Sequence, residues 1–175
     1  MSEIIEQSAV KAFDSLKLPQ GNITPEMLDE LEATMFELIV RGHPAIYEVD
    51  IPTTHTFTKF SYVREGVMPA GSVIVGHFHK EPHHCVVLSG HMTVLNADRT
   101  TVDIIGPATF YAGPGRKIGY MHTDVVMQNI HPRGDWPQGT EDDVEKVEEH
   151  IYKRTDAFKK YRAYKLECGL KKSIT

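Results

Sequence analysis

The chain has 175 residues, 41% of them apolar, and a formal charge of −5 at pH 7. That length suits a single domain with one sizeable core, and the acidic balance excludes nucleic-acid binding by bulk electrostatics. Cys85 and Cys168 are the only cysteines. They offer no disulfide framework, which points to a reducing compartment. The start, Met1-Ser2-Glu3-Ile4-Ile5-Glu6, is acidic without a long apolar run. Neither a signal peptide nor a membrane span is expected there, and the expected location is cytoplasmic.

Residues 3–17 place Ile4, Ile5, Ala9, Val10, Phe13 and Leu16 at helical spacing, until Pro19-Gln20-Gly21-Asn22 breaks the pattern. Thr24-Pro25 opens a second helix, with Thr24 as N-cap and Pro25 in the first turn. Met27, Leu28, Leu31, Met35, Phe36, Leu38 and Ile39 give it an apolar side, and Gly42 suits its end. From Ala45 to His131 the chain reads as short strands. The runs are Ala45–Ile51, Thr56–Glu65, Ser72–His79, His83–Leu88, His91–Asn96, Thr101–Ile105, Ala108–Ala112, Lys117–His122 and Asp124–His131. They are rich in β-branched and aromatic residues and punctuated by Gly, Pro, Asn and Asp, which predicts an all-β sandwich or barrel. Asn96-Ala97-Asp98-Arg99 reads as a hairpin turn.

Thr140-Glu141-Asp142-Asp143 opens a third helix, close to a capping box, with Val144, Val147 and Ile151 as its apolar stripe. Beyond it the charge turns basic, through Lys153, Arg154, Lys159, Lys160, Arg162, Lys165, Lys171 and Lys172. Phe158, Tyr161 and Tyr164 interleave with these cations. Such a segment either contacts a polyanion or is a solvated helix whose aromatics dock on the barrel or a partner subunit; docking is the favoured reading. Nucleic acid is not expected as a partner. The organisation predicted is a helical extension over 1–44, a β-barrel over 45–132 and a helical segment with a basic tail over 133–175.

The densest chemistry lies in Gly76-His77-Phe78-His79-Lys80-Glu81-Pro82-His83-His84, where four of the ten histidines fall within eight residues. His77 and His79 share a face if the backbone is extended. His83 returns after a bend that contains Pro82. Three converging imidazoles from His77, His79 and His83 make a site for a divalent metal: Fe, Zn, Mn or Ni. The bland alternative is a polar hairpin whose histidines face solvent.

The flanking glycines extend the pattern: Gly71, five residues, His77-x-His79, three residues, His83, six residues, Gly90. This resembles the first metal motif of the cupin superfamily, with His83 where a glutamate is usual. The three-histidine form is similar to that of thiol dioxygenases, which bind ferrous iron. A second motif would run from Gly106 to Arg116, and there Arg116 stands where the family has a histidine. His122 keeps the strand parity of Arg116, so it is a candidate fourth ligand; His122-Thr123-Asp124 also reads as a turn. Arg64-Glu65, Met68-Pro69-Ala70-Gly71, His79-Lys80, His83 and Asn129-Ile130-His131-Pro132 are also similar to small cupin-like proteins of tailed-phage genomes, over roughly residues 26–151. His79, Lys80 and His83 carry that likeness. It implies a single cupin-type jelly-roll barrel, the double-stranded β-helix, in a mainly β chain with N-terminal helices and a C-terminal helix. For a phage-encoded chain it implies the host cytoplasm or the virion.

Glu81, Tyr62 and Tyr120 are the candidate proton-handling residues. Arg64, on the strand with Tyr62, suits a carboxylate or phosphate. Cys85 shares the parity of His83 and is either a soft ligand or a packing residue, packing being favoured. His131, before Pro132, suits the barrel mouth. Two functions stay open: a metal-dependent enzyme on a small polar or anionic molecule, and a non-catalytic binding or structural protein such as a phage accessory or virion-associated one. A homodimer through exposed sheet edges is the expected assembly.

Overall fold

The computed structural model describes residues 2–44, 46–134, 136 and 143–169. Helix α1 spans Ser2–Ser15 and α2 spans Pro25–Val40. The Thr24 hydroxyl accepts from the Met27 amide at 3.3 Å, with Pro25 in the first turn, so α2 starts where its cap residues predict. The strands that follow are β1 (Thr53–Phe57), β2 (Ser61–Met68), β3 (Val73–Val75), β4 (Phe78–His79) and β5 (His83–Ser89). After them come β6 (His91–Leu95), β7 (Thr101–Ile105), β8 (Ala108–Ala112), β9 (Ile118–Met121) and β10 (Val125–Pro132). Helix α3 (Val144–Ile151), the short β11 (Tyr152–Lys153) and α4 (Asp156–Glu167) complete the order.

The larger sheets are antiparallel. One is ordered β1-β2-β10-β5-β8 and the other β3-β9-β6-β7. Strands that are distant in sequence thus lie side by side, as β2 and β10 do from Val125↔Met68 to Pro132↔Ser61. This order is that of a jelly roll, the cupin-type fold expected from the sequence. Met68, Val87, Met92, Met121 and Val125 form the core between the sheets. The outer face of the β3-β9-β6-β7 sheet is covered by α1, where Ala9 and Phe13 pack with Ile23, Leu28, Leu95 and Ile118. The β5–β6 turn needs Gly90, which has φ +96° and would drive a Cβ into the Asp124 carbonyl.

Two expected features differ. Residues 46–51 form no strand; they are fastened by side chains instead. Glu48 accepts from the Tyr161 hydroxyl at 3.0 Å and from Lys165 Nζ at 2.6 Å. Helix α3 is capped by Asp143, which accepts from the Lys146 amide at 3.2 Å. Thr140, the expected cap, lies outside the described residues, as do Lys171 and Lys172.

The basic segment folds as α4 against α2. Phe36 stacks on Tyr161 with ring centroids 4.3 Å apart, and Phe158 lies 6.2 Å from Phe36. Phe158 and Tyr161 are buried, each contributing about 2 kcal/mol by area. Several cations are held in ion pairs: Arg162 with Glu145 at 3.0 Å, Lys165 with Glu48, and Arg154 with Glu148. No helix among the described residues is long and apolar enough to cross a membrane.

Candidate metal centre

His79, His83 and His131 meet at one end of the barrel. One nitrogen of each lies within 4.8 Å of the others. His83 opens β5 and His79 closes the two-residue β4. His131 arrives from far downstream by strand pairing. β10 runs antiparallel to β5, and His131 is one step beyond the Ile130↔His84 pair, which sets it beside His83. The rings stack, with centroids 3.9 Å apart for His79 and His83 and 4.7 Å for His83 and His131.

His83 and His131 are buried, 4% and 2% exposed, and His79 is partly buried. Burial, together with the proximity of the other histidines and of Arg64, pushes His79 down to about 2 and His131 down to about 3. His83 is lowered too, by burial, against the opposing effect of the Glu81 carbonyl. All three are neutral near pH 7. His83 Nδ1 donates to the Glu81 carbonyl at 3.4 Å, which leaves its lone pair on Nε2. His79 Nδ1 and His131 Nε2 are buried without a hydrogen-bond partner. Buried polar atoms rarely go unsatisfied. Three neutral imidazoles with such orphaned nitrogens fit a divalent metal that favours nitrogen ligands.

The surroundings are aromatic and charged. The Tyr152 ring meets His79 edge-on at 4.8 Å, brought there by the β11–β4 pair Tyr152↔His79. Tyr62 is fully buried, lies 6.1 Å from His131 ring to ring, and bonds His55 Nδ1 through its hydroxyl at 2.7 Å. Burial first, then the Glu148 charge, raises its phenol well above the ordinary range, so Tyr62 stays protonated. Glu148, 1% exposed, pairs with Arg154 and lies 3.6 Å from Arg64 Nε. Glu148 thus sits between two guanidinium groups. Burial pushes the Cys85 thiol up to about 11, and its Sγ donates to Asn129 Oδ1 at 3.3 Å. A protonated, bonded thiol is a packing residue and not a soft ligand.

The other predicted residues are placed as follows. His77 is not brought to the cluster. Its ring packs against Tyr152 at 5.0 Å and Phe158 at 4.9 Å. Gly76 and His77 lie between β3 and β4, so the strand alternation that would align His77 with His79 is broken there. His122 points to the outer face of the β3-β9-β6-β7 sheet, where it meets Thr93 and His91. Tyr120 lies on that face too, 4.9 Å from the His122 ring. Glu81 is exposed on the loop before β5 and contributes its backbone carbonyl. Arg116, where the second motif would have a histidine, is 3% exposed in its side chain and bound to Asp29 and Glu32 of α2. Sequence reasoning set His131 at the barrel mouth but did not group it with His79 and His83, and it singled out no role at the site for Glu148, Tyr152 or Arg154. The signal for Glu148 was present: it is an acid four residues after Val144, on the apolar stripe of α3.

No protein-family model matches the chain, and no curated protein matches it. Solved structures do. A cupin-family protein with a double-stranded β-helix fold from Methanocaldococcus jannaschii is 12% identical, with a TM-score of 0.40, over 49% of this chain and 83% of that one. A cupin domain from Bordetella pertussis is 15% identical, with a TM-score of 0.41, over 50% and 97%. An acetylacetone dioxygenase from Acinetobacter johnsonii is 15% identical, with a TM-score of 0.41, over 49% of this chain and 61% of the dioxygenase. These likenesses concern the fold and carry nothing about activity.

Proposed function

We propose that the chain is a metal-binding jelly-roll protein in which His79, His83 and His131 hold one divalent ion, and that the ion serves a small anionic molecule. The observation that carries this reading is the pair of buried, unpartnered nitrogens on His79 and His131, beside a third imidazole whose tautomer is fixed. A metal bound there supplies Lewis acidity or, if it is iron, oxygen chemistry. The protein's own residues set the rest. Neutral imidazoles add no negative charge to offset that of a bound ion, so an anion is favoured over a cation as the molecule drawn in. Tyr62 keeps its hydroxyl proton and donates it in a hydrogen bond to His55 Nδ1, which fixes the orientation of the phenol. Tyr152 shields the His79 ring from water.

A second reading is a non-catalytic binding or structural protein, such as a phage accessory or virion-associated one, with the ion stiffening the barrel end. The burial of His83 and His131 beneath Tyr152 favours it, because a closed site is the mark of a structural metal. For either reading a homodimer is the assembly we favour, through exposed Val102, Ile105 and Tyr111 on the edge strands β7 and β8.

Elemental analysis of protein purified without chelator, beside a His79→Ala, His131→Ala double variant, tests the proposal. Near-stoichiometric metal that the variant lacks is the expected result. A wild-type protein that neither carries metal nor takes it up overturns it. Water exchange at the bound ion then separates the readings: an exchangeable water supports the enzyme, and none supports the structural role.

A further inference from the structure

The opposite face of the β3-β9-β6-β7 sheet carries a second convergence of ligand-type side chains. His91 opens β6, Asp103 lies on β7 and His122 follows β9. One ligand atom of each lies within 4.8 Å of the others. The register explains why. Thr93 pairs with Asp103 on one side and with Tyr120 on the other, so outward-facing residues of three adjacent strands come together. Alternation along β6 separates this face from the core: Met92 and Val94 pack between the sheets, whereas Leu95 packs with α1.

We propose that His91, Asp103 and His122 form a metal site on this outer face, taking a divalent transition-metal ion such as Zn²⁺ through two imidazole nitrogens and one carboxylate oxygen. The donors are already held in place. The Thr93 hydroxyl donates to the Asp103 carboxylate and lies 2.6 Å from His122 Nε2. The His122 amide donates to the His91 carbonyl at 2.9 Å, and the His91 amide to the Thr123 hydroxyl at 3.0 Å. His91 Nε2 is buried, lacks a hydrogen-bond partner, and stands 3.8 Å from Asp103 Oδ1. Its ring lies 4.3 Å from that of His122. Two imidazoles and a carboxylate are a donor set for Zn²⁺, Fe²⁺ or Co²⁺, and three protein ligands leave positions open. Beside Asp103 is a cavity of about 220 Å³, lined by Ala9, Val10, Thr93, Thr101 and Asp103, with room for water or a small ligand.

The test is a Zn²⁺ titration of the chelator-treated full chain against a chromophoric chelator, with circular dichroism to confirm folding. The proteins are the wild type, His79→Ala/His131→Ala, Asp103→Asn, His122→Ala, and the Asp103→Asn change added to the double variant. The expected result is one equivalent retained by the double variant, its affinity reduced at least ~100-fold once Asp103→Asn is added. Failure of the inner centre alone would show as wild type binding one equivalent that Asp103→Asn removes, and this also supports the outer site. A folded double variant that binds no Zn²⁺, or an outer affinity unchanged by both Asp103→Asn and His122→Ala, overturns the proposal. If the double variant does not fold, the single variants decide: each must lose one equivalent relative to wild type.

Discussion

The two histidine clusters sit on different faces of the same barrel and differ in charge and in water. The inner trio, His79, His83 and His131, groups imidazoles alone, with His83 and His131 buried and His79 partly so. The outer trio has Asp103, whose side chain is 52% exposed. An ion on the inner cluster would keep its full charge among neutral imidazoles, so it would favour an anion as a further ligand. An ion on the outer cluster is partly neutralised and open to solvent, so it needs none. One residue type therefore gives sites of opposite appetite, and the neighbours decide which.

The sharpest break of that contrast is Glu148→Gln, which removes a buried carboxylate of the inner wall. It leaves Arg64 and Arg154 less compensated and should lower stability by about 3–5 kcal/mol in chemical denaturation. Zn²⁺ affinity at the outer cluster should stay within twofold, as the chelator titration would read it. Next in size, His79→Ala/His131→Ala should weaken inner Zn²⁺ binding by at least ~100-fold, about 2.7 kcal/mol, in the same titration.

Acid should act most on the inner cluster. In metal-free protein His79 and His131 are held near 2 and 3, below the ordinary histidine value of 6.5. Above that value both folded and unfolded chains leave them neutral, and their contribution to stability is complete. As pH falls below it the unfolded chain takes up protons that the folded one refuses, so stability declines. Denaturation midpoints from pH 7 to 4 would show the slope, and His131→Asn should reduce it. The smallest effect belongs to the exposed acid: Asp103→Asn should change metal-free stability by less than ~1 kcal/mol in the same denaturation assay.

Local chemistry made much of this readable in the sequence. Thr24 and Pro25 mark the start of α2, and the turn at Asn96–Arg99 falls between β6 and β7. Within the His-rich stretch, His79 and His83 meet because a short bend joins them. His131 was not legible as their partner: it lies 48 positions beyond His83, and only the pairing of β10 with β5 brings it back. His77 misled through an assumption of unbroken strand parity, which fails at Gly76. His122 followed the same parity argument to the wrong side of a sheet whose inner and outer faces the sequence alone does not label. The run at 45–51 had strand composition, but Glu48 is anchored by α4 side chains, a tertiary contact that propensity cannot foresee.

The wall of the inner cluster comes from a late part of the chain. Glu148, Tyr152 and Arg154 all follow β10, within seven residues of one another. A nascent chain complete through β10 can pair β5 with β10, which sets His83 beside His131, and can tie His79 to Gly115 by backbone hydrogen bonds, whereas Tyr152, the strand partner of His79, comes later. A metal taken up at that stage would meet the histidines before Tyr152 covers the His79 ring, and loading during synthesis would need no later opening of the finished protein.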